Sequence, residues 1–167
     1  MEQEGWDGTR GSSRSVSFVD TRARAVTASH GPLHALARRV LEHELAQGSW
    51  VTGLADGIAQ PFERLSHITT SVLGATGFVA IEARAADLAC GSFPWLAPLL
   101  PELLAEGFPR AGWQRALDET GPEGAFACAT RLLCFVLELL HDLVGDEVTR
   151  RLVQRSWPTL ARGEGEP

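Results

Sequence analysis

The sequence predicts an all-α fold: a compact bundle of about five to seven helices, with a long central helix near the carboxyl end. Apolar residues recur at helical spacing through most of residues 33–157. No alternating strand pattern extends beyond a few residues. The 167 residues, of which 44% are hydrophobic, are enough for one domain with a buried core.

The chain divides into a tail, one domain and a short end. Residues 1–30 are rich in Gly, Ser, Thr, Arg and Asp, and their only apolar patch is residues 16–19. We therefore expect a disordered or loosely docked amino-terminal tail. Residues 31–160 are expected to form the single helical domain, and residues 161–167 to form a flexible carboxyl-terminal end.

The first helix is expected to begin at Leu33 and to stop at Gly48, because glycine commonly follows the end of a helix. Its apolar positions are Leu33, Leu36, Ala37, Val40, Leu41 and Leu45. Residues 49–60 leave the prediction open, because two glycines weaken a helix that the apolar residues there would suit.

The second helix is expected to carry Pro61 in its first turn, where the missing N–H costs nothing. Its core stripe runs from Phe62 to Val72. Gly74 and Gly77 interrupt the pattern, which restarts afterwards and continues to residue 89. We therefore expect a break in this helix near the two glycines.

Residues 91–109 alternate prolines with large apolar side chains. The prolines are Pro94, Pro98, Pro101 and Pro109. They forbid a continuous helix, so one or two short turns are expected, one of them at 101–106. Two interpretations stay open: the segment is a lid over the core, or it is an exposed apolar patch that docks a partner or lines a ligand pocket.

The last third of the chain carries the strongest helical signal. A short helix is expected near 111–119. The spacing of Thr120 and Glu123 is typical of a capping box, which predicts a long helix from about 122 to 144. A broad apolar arc of that helix contains Leu132, Leu133, Val136, Leu137, Leu139, Leu140, Leu143 and Val144. The polar stripe opposite contains Arg131, Cys134, Glu138, His141 and Asp142.

A tight reversal is expected after the long helix. Gly145 suits the position after a helix end, and Asp146 suits an amino-terminal cap. The final helix should therefore cover about 146–157, with its outer face rich in arginine, and Pro158 should stop it.

The sequence offers no complete catalytic or metal-binding pattern. Glu138 and His141 form an E-x-x-H pair, but a di-metal site needs a second pair and two more carboxylates. Cys134 lies two helical turns from His141, about 10 Å, which is too far for direct proton transfer. Neither a phosphate-binding glycine loop nor a nucleophile elbow is present. We therefore expect no enzymatic activity and no cofactor.

Composition indicates the source and limits the partners. All fifteen basic residues are Arg, and Lys, Asn and Tyr are absent, which is typical of a GC-rich bacterial genome. Three cysteines without a CxxC spacing, and no secretory signal pattern, favour the cytoplasm. The net charge of −6 disfavours nucleic acid as a partner. No apolar run approaches the ~18 residues of a membrane span.

Two stretches carry a resemblance. They are GATGFVAIEARAADLACGSFPWL and LLHDLVGDEVTRRLVQRSWP. Together they resemble small helical proteins and domains of GC-rich bacteria, in which a GF-containing alanine-rich helix precedes a leucine-rich helix, a Gly-acidic turn and an R-x-x-W-P end. The resemblance implies a helical fold and implies no functional site.

These observations favour a non-enzymatic helical module that binds another protein or a second copy of itself, in bacterial signalling or stress regulation. The alternative is a sensor of a small molecule or of haem, with an apolar pocket between helices. The candidate partner-binding residues are Trp95, Leu96, Leu99, Leu100, Leu103, Arg150, Arg151 and Arg155.

Overall fold

The computed structural model describes residues 31–48, 53–101 and 108–162. Within these ranges the chain forms five α-helices and one 3-10 helix, and no β-strand occurs in them. The elements are α1 (Pro32–Gly48), α2 (Leu54–Ala89), the 3-10 helix (Pro94–Leu99), α3 (Arg110–Val144), α4 (Asp146–Ser156) and α5 (Pro158–Arg162). The predicted all-α fold with a long helix near the carboxyl end is confirmed. The predicted tail at 1–30, the turn at 101–106 beyond Pro101, and residues 163–167 lie outside the described residues.

Helices α1, α2 and α3 contact one another pairwise, and the core lies between them. Helix α4 contacts both α2 and α3, the 3-10 helix contacts α2, and α5 contacts α4. Three aromatic rings meet in the core. Trp113 stacks on Phe62 and on Phe108, with centroids 5.7 and 5.2 Å apart, and the rings of Phe62 and Phe108 are tilted against each other at 5.5 Å. Burial of such large apolar side chains is the main force that holds the helices together.

Two glycines bend the long helices. Gly74 in α2 has φ 75° and Gly121 in α3 has φ 73°, a region that residues with a Cβ rarely adopt. The expected break near Gly74 is confirmed. The separate helices predicted at 111–119 and 122–144 are the two arms of α3 on either side of Gly121. The predicted capping box is wrong. Its Thr120 hydroxyl would have to accept from a backbone N–H of the following turn, whereas it donates to the carbonyl oxygen of Ala116 at 2.7 Å.

The start of α2 differs from the prediction. Pro61 lies inside the helix rather than in its first turn, because α2 already begins at Leu54. Gly57 lies in the part of residues 49–60 that the structure shows as helix. A Cβ at this position would lie 2.7 Å from Leu45 Cδ2, so the absence of a side chain lets α2 approach α1 closely.

The apolar arc predicted for α3 is buried in the middle of the helix, but it is exposed near the end of the helix. Leu133, Leu137 and Leu140 are buried as predicted, but Leu143 is 62% exposed. The last turn of α3 is largely exposed, which means that the helix outruns its neighbours. Cys134 is fully buried instead of lying on a polar stripe, because residues 132–137 are covered on every side.

The chain turns at Gly145, as predicted, and α4 ends at Ser156. The prediction that Asp146 caps α4 is wrong, because Gly145 is the cap residue and Asp146 is the first helical residue. Pro158 does stop α4, but it also begins α5, a position that proline suits because its N–H would have no partner there. Trp157 between the two helices is 1% exposed and belongs to the core.

Candidate interaction surfaces and the polar cleft

An uncharged segment, residues 88–101, leads from the end of α2 through the 3-10 helix. It contains no Asp, Glu, Lys or Arg, and Asp87 and Glu102 flank it. Its exposed side chains are Leu88, Ser92, Pro94, Ala97, Pro98 and Pro101. Except for Ser92 these are apolar, so the outer surface of the uncharged segment is a mostly apolar strip.

The inner face of this segment covers the core, as the lid interpretation predicts, and its outer face is exposed. Leu96 and Leu99 are 0% and 4% exposed and lie in the core. Three residues per turn put positions 96 and 99 on the same side of a 3-10 helix, which therefore acts as a lid. Trp95 and Leu100 are half-buried. The Trp95 ring meets Phe93 edge-on, with centroids 6.5 Å apart.

The placement of these residues corrects the list of candidate partner-binding residues. Leu96 and Leu99 cannot touch a partner while the lid is closed, because the core already covers them. Trp95 and Leu100 keep an accessible surface, and Leu103 lies outside the described residues. Sequence reasoning missed Ala97 and Pro98, because small side chains and prolines give no periodic signal.

The arginine face of α4 is largely neutralised by acids in its own first turn. Arg150 pairs with Asp146 and, at 3.0 Å, with Glu147. Arg151 pairs with Glu147 at 2.9 Å. All of these side chains are more than half exposed, so each pair contributes little to stability. Arg155 differs, because it makes no ion pair with any described residue.

A buried carboxylate joins three parts of the fold. Glu44 of α1 is 4% exposed, and its Oε1 accepts a 2.7 Å hydrogen bond from the indole N–H of Trp157. The same oxygen lies 3.0 Å from Nε of Arg64 in α2. The sequence held a signal for this residue. Glu44 follows Leu41 by three residues and therefore falls on the apolar face of α1.

A polar cleft lies beside this carboxylate, between α2 and the end of α4. Its volume is about 340 Å³. It is lined by Gln60, Glu63, Arg64, His67, Ile68, Arg155 and Ser156. The residues from α2 recur at helical spacing and share one face of that helix. The expected ligand pocket was apolar, whereas the lining of this cleft is polar except for Ile68.

A second buried carboxyl lies on the inner face of α2. Glu82 is 3% exposed and shares that face with Phe78, Ile81, Ala85, Ala86 and Ala89. It has no hydrogen bond or ion pair with the part of the chain that the structure describes. Burial disfavours the charged form and raises the pKa of Glu82 to about 8.

The E-x-x-H pair and the cysteines occupy separate environments. Glu138 is half-buried and accepts a 3.4 Å hydrogen bond from the Cys134 thiol. His141 is exposed, with Nδ1 3.9 Å from Asp146 Oδ1. Burial raises the pKa of Cys134 to about 12, which keeps this thiol protonated and unreactive. Within the described ranges, no three His, Cys, Asp or Glu side chains group together in a way that could hold a metal ion.

None of the described helices combines the length and the apolar character that crossing a bilayer requires. The resemblance to small helical domains of GC-rich bacteria stays a prediction. Comparison of the chain with protein-family models, with curated proteins and with solved structures gives no match.

Proposed function

We propose that this chain is a non-enzymatic helical module that acts in the bacterial cytoplasm by docking proteins, including a second copy of itself, through residues 88–101. The observation that carries the proposal is the apolar outer strip of this uncharged segment. The chain has a net charge of −6, so identical copies repel each other over most of their surface. A contact through an uncharged strip avoids that repulsion.

The strip also has the composition of an interface. Half-buried Trp95 is the residue type that most often anchors a protein contact, and the exposed prolines hold their backbone in a fixed conformation. Because Leu96 and Leu99 fix the inner face in the core, the strip is rigid before a partner arrives. A rigid surface loses little conformational entropy on binding. Such a module suits a regulatory role in signalling or the stress response.

The test introduces a charge into the strip. Ala97→Asp places a carboxylate on an exposed position of the 3-10 helix, and Ala127→Asp makes the same change at an exposed position of α3 as a matched control. Sedimentation velocity of the wild type should show a dimer in equilibrium with the 18.0 kDa monomer. Ala97→Asp should shift that equilibrium to the monomer, and Ala127→Asp should not.

Cross-linking tests whether the same segment also docks a different protein. The wild type and Ala127→Asp should capture the same protein partner, and Ala97→Asp should lose it while keeping its circular dichroism spectrum. A monomeric wild type whose captured partners do not depend on position 97 would contradict the proposal.

A further inference from the structure

The polar cleft between α2 and α4 contains the basic side chains that have no polar or ring contact with another described residue. Ten arginine side chains are described, and nine of them make an ion pair, a hydrogen bond or a ring contact. Arg155 is the exception among the described residues. Four histidine side chains are described, and His67 is the one that has no polar contact with the described part of the chain. Both exceptions line this cleft.

A third basic group in the cleft is fixed in place. Nε of Arg64 lies 3.0 Å from Oε1 of Glu44, which is itself buried and held by the indole of Trp157. Half of the Arg64 side chain stays exposed, so the guanidinium is held by Glu44 through Nε and still has a surface that a ligand can reach. A planar guanidinium presents several N–H donors in a rigid fork that matches the oxygens of a carboxylate or phosphate.

We infer that the cleft binds a small oxyanion, a carboxylate or a phosphate, between Arg155, Arg64 and His67. The volume of about 340 Å³ lies at the small end of the ~300–1,000 Å³ typical of ligand sites. The wall of the cleft adds polar groups. Ser156 Oγ already donates to the carbonyl of Leu152 at 3.0 Å and therefore offers no donor to an anion. The side-chain amide of Gln60 gives one N–H to Glu63 and keeps a second N–H that can donate to an oxyanion.

One residue in the cleft opposes an anion. The carboxylate of Glu63 accepts a 3.2 Å hydrogen bond from Nε2 of Gln60 and carries a negative charge into the lining. This charge lowers the affinity for any oxyanion, so its removal should tighten binding. Glu63 therefore supplies a variant whose effect is opposite in direction to the loss of Arg155.

The experiment titrates the full chain with inorganic phosphate or with succinate at constant ionic strength, and NMR follows the arginine side-chain N–H signals. Saturable shifts of Arg155 and Arg64 are expected. Arg155→Gln should weaken binding about tenfold or more, as expected for a lost charge-assisted contact. Glu63→Gln should tighten binding severalfold, and Arg151→Gln, outside the cleft, should leave it unchanged.

The two ligands separate the sources of the oxyanion. Tighter binding of phosphate identifies a phosphorylated ligand, and tighter binding of succinate identifies a carboxylic acid. Absence of saturation with either ligand would overturn the inference. Equal affinity in the wild type and Arg155→Gln would overturn it too, because the anion would then bind elsewhere. The inference does not depend on the docking strip, whose residues are different.

Discussion

The indole N–H of Trp157 donates a 2.7 Å hydrogen bond to Oε1 of Glu44, and this bond joins residues 113 positions apart in the chain. Both residues are almost fully buried, and Arg64 of α2 adds an ion pair with Glu44. A buried carboxylate is tolerated only when its lost hydration is replaced by donors and opposite charge. The three residues therefore fix α1 and α2 against the end of α4, beside the polar cleft.

Trp157→Phe should destabilise the protein by about 1–3 kcal/mol, because it removes a donor and leaves a buried carboxylate oxygen less satisfied. The free energy of unfolding is measured by urea denaturation. Arg38→Gln is the control, since Arg38 and Glu42 form a 2.8 Å pair whose side chains are more than half exposed. That change should cost less than about 1 kcal/mol. An equal loss in the free energy of unfolding for both substitutions would show that the buried hydrogen bond contributes no more than the exposed ion pair.

Glu82 should make the protein less stable as the pH rises from about 5 to 8. Burial raises the pKa of Glu82 from 4.5 to about 8, so in this range the folded carboxyl keeps a proton that the unfolded carboxyl has lost. The loss is about 1.4 kcal/mol per pH unit from this group, and it ends above the folded pKa. Below pH 4.5 both states are protonated and the dependence also ends.

Glu82→Gln should remove this slope and raise the free energy of unfolding at pH 8. Urea denaturation across this pH range measures both effects. Glu123→Gln changes an exposed glutamate and should leave the slope in place. A slope that survives Glu82→Gln would mean that another group titrates on unfolding.

Leu137→Ala should cost about 2–5 kcal/mol, because Leu137 is 1% exposed and its loss leaves a cavity in the core. Leu143→Ala should cost less than about 0.5 kcal/mol, because Leu143 is 62% exposed. Chemical denaturation of the two variants compares the middle of α3 with its projecting end. A large cost at position 143 would indicate that this turn is covered by another part of the chain or by a second molecule.

Gly57→Ala and Gly112→Ala should differ in their effect on stability. A Cβ at position 57 would lie 2.7 Å from Leu45 Cδ2, the end of a flexible side chain, so Leu45 must leave its present rotamer, at about 0.5–1.5 kcal/mol, which offsets the helical preference of alanine. A Cβ at position 112 would lie 3.7 Å from Leu99 Cδ1, an ordinary contact, and alanine there should stabilise the helix by about 0.5–1 kcal/mol. Thermal unfolding of both variants measures the sign of each change.

The helices could be predicted because their signals are local. The spacing of apolar residues predicts α1, α4 and the two arms of α3. The glycines predict the breaks at Gly74 and Gly145. The beginning of α2 could not be predicted this way. Gly57 weakens a helix by propensity, and its close contact with Leu45 of the neighbouring helix is not a local signal in the sequence.

The candidate site was harder to predict than the fold. The apolar content and the prolines of residues 91–109 predict a lid or a docking patch, but which leucines turn inward depends on the 3-10 turn that the prolines permit. The cleft joins Arg64 and Arg155, which are far apart in the chain, so no spacing in the sequence reveals it. Glu44 is different, because a charged residue on the apolar face of a predicted helix is a local signal of a buried polar contact.

The docking role of residues 88–101 is tested most directly by hydrogen–deuterium exchange of the wild type at low and high protein concentration. Association through the uncharged segment predicts slower exchange at high concentration in peptides that span 88–101, and no such change in Ala97→Asp. Peptides of α4 that contain Arg150 and Arg151 should exchange at the same rate at both concentrations. Exchange in 88–101 that does not depend on concentration, together with protection of α4, would contradict the account.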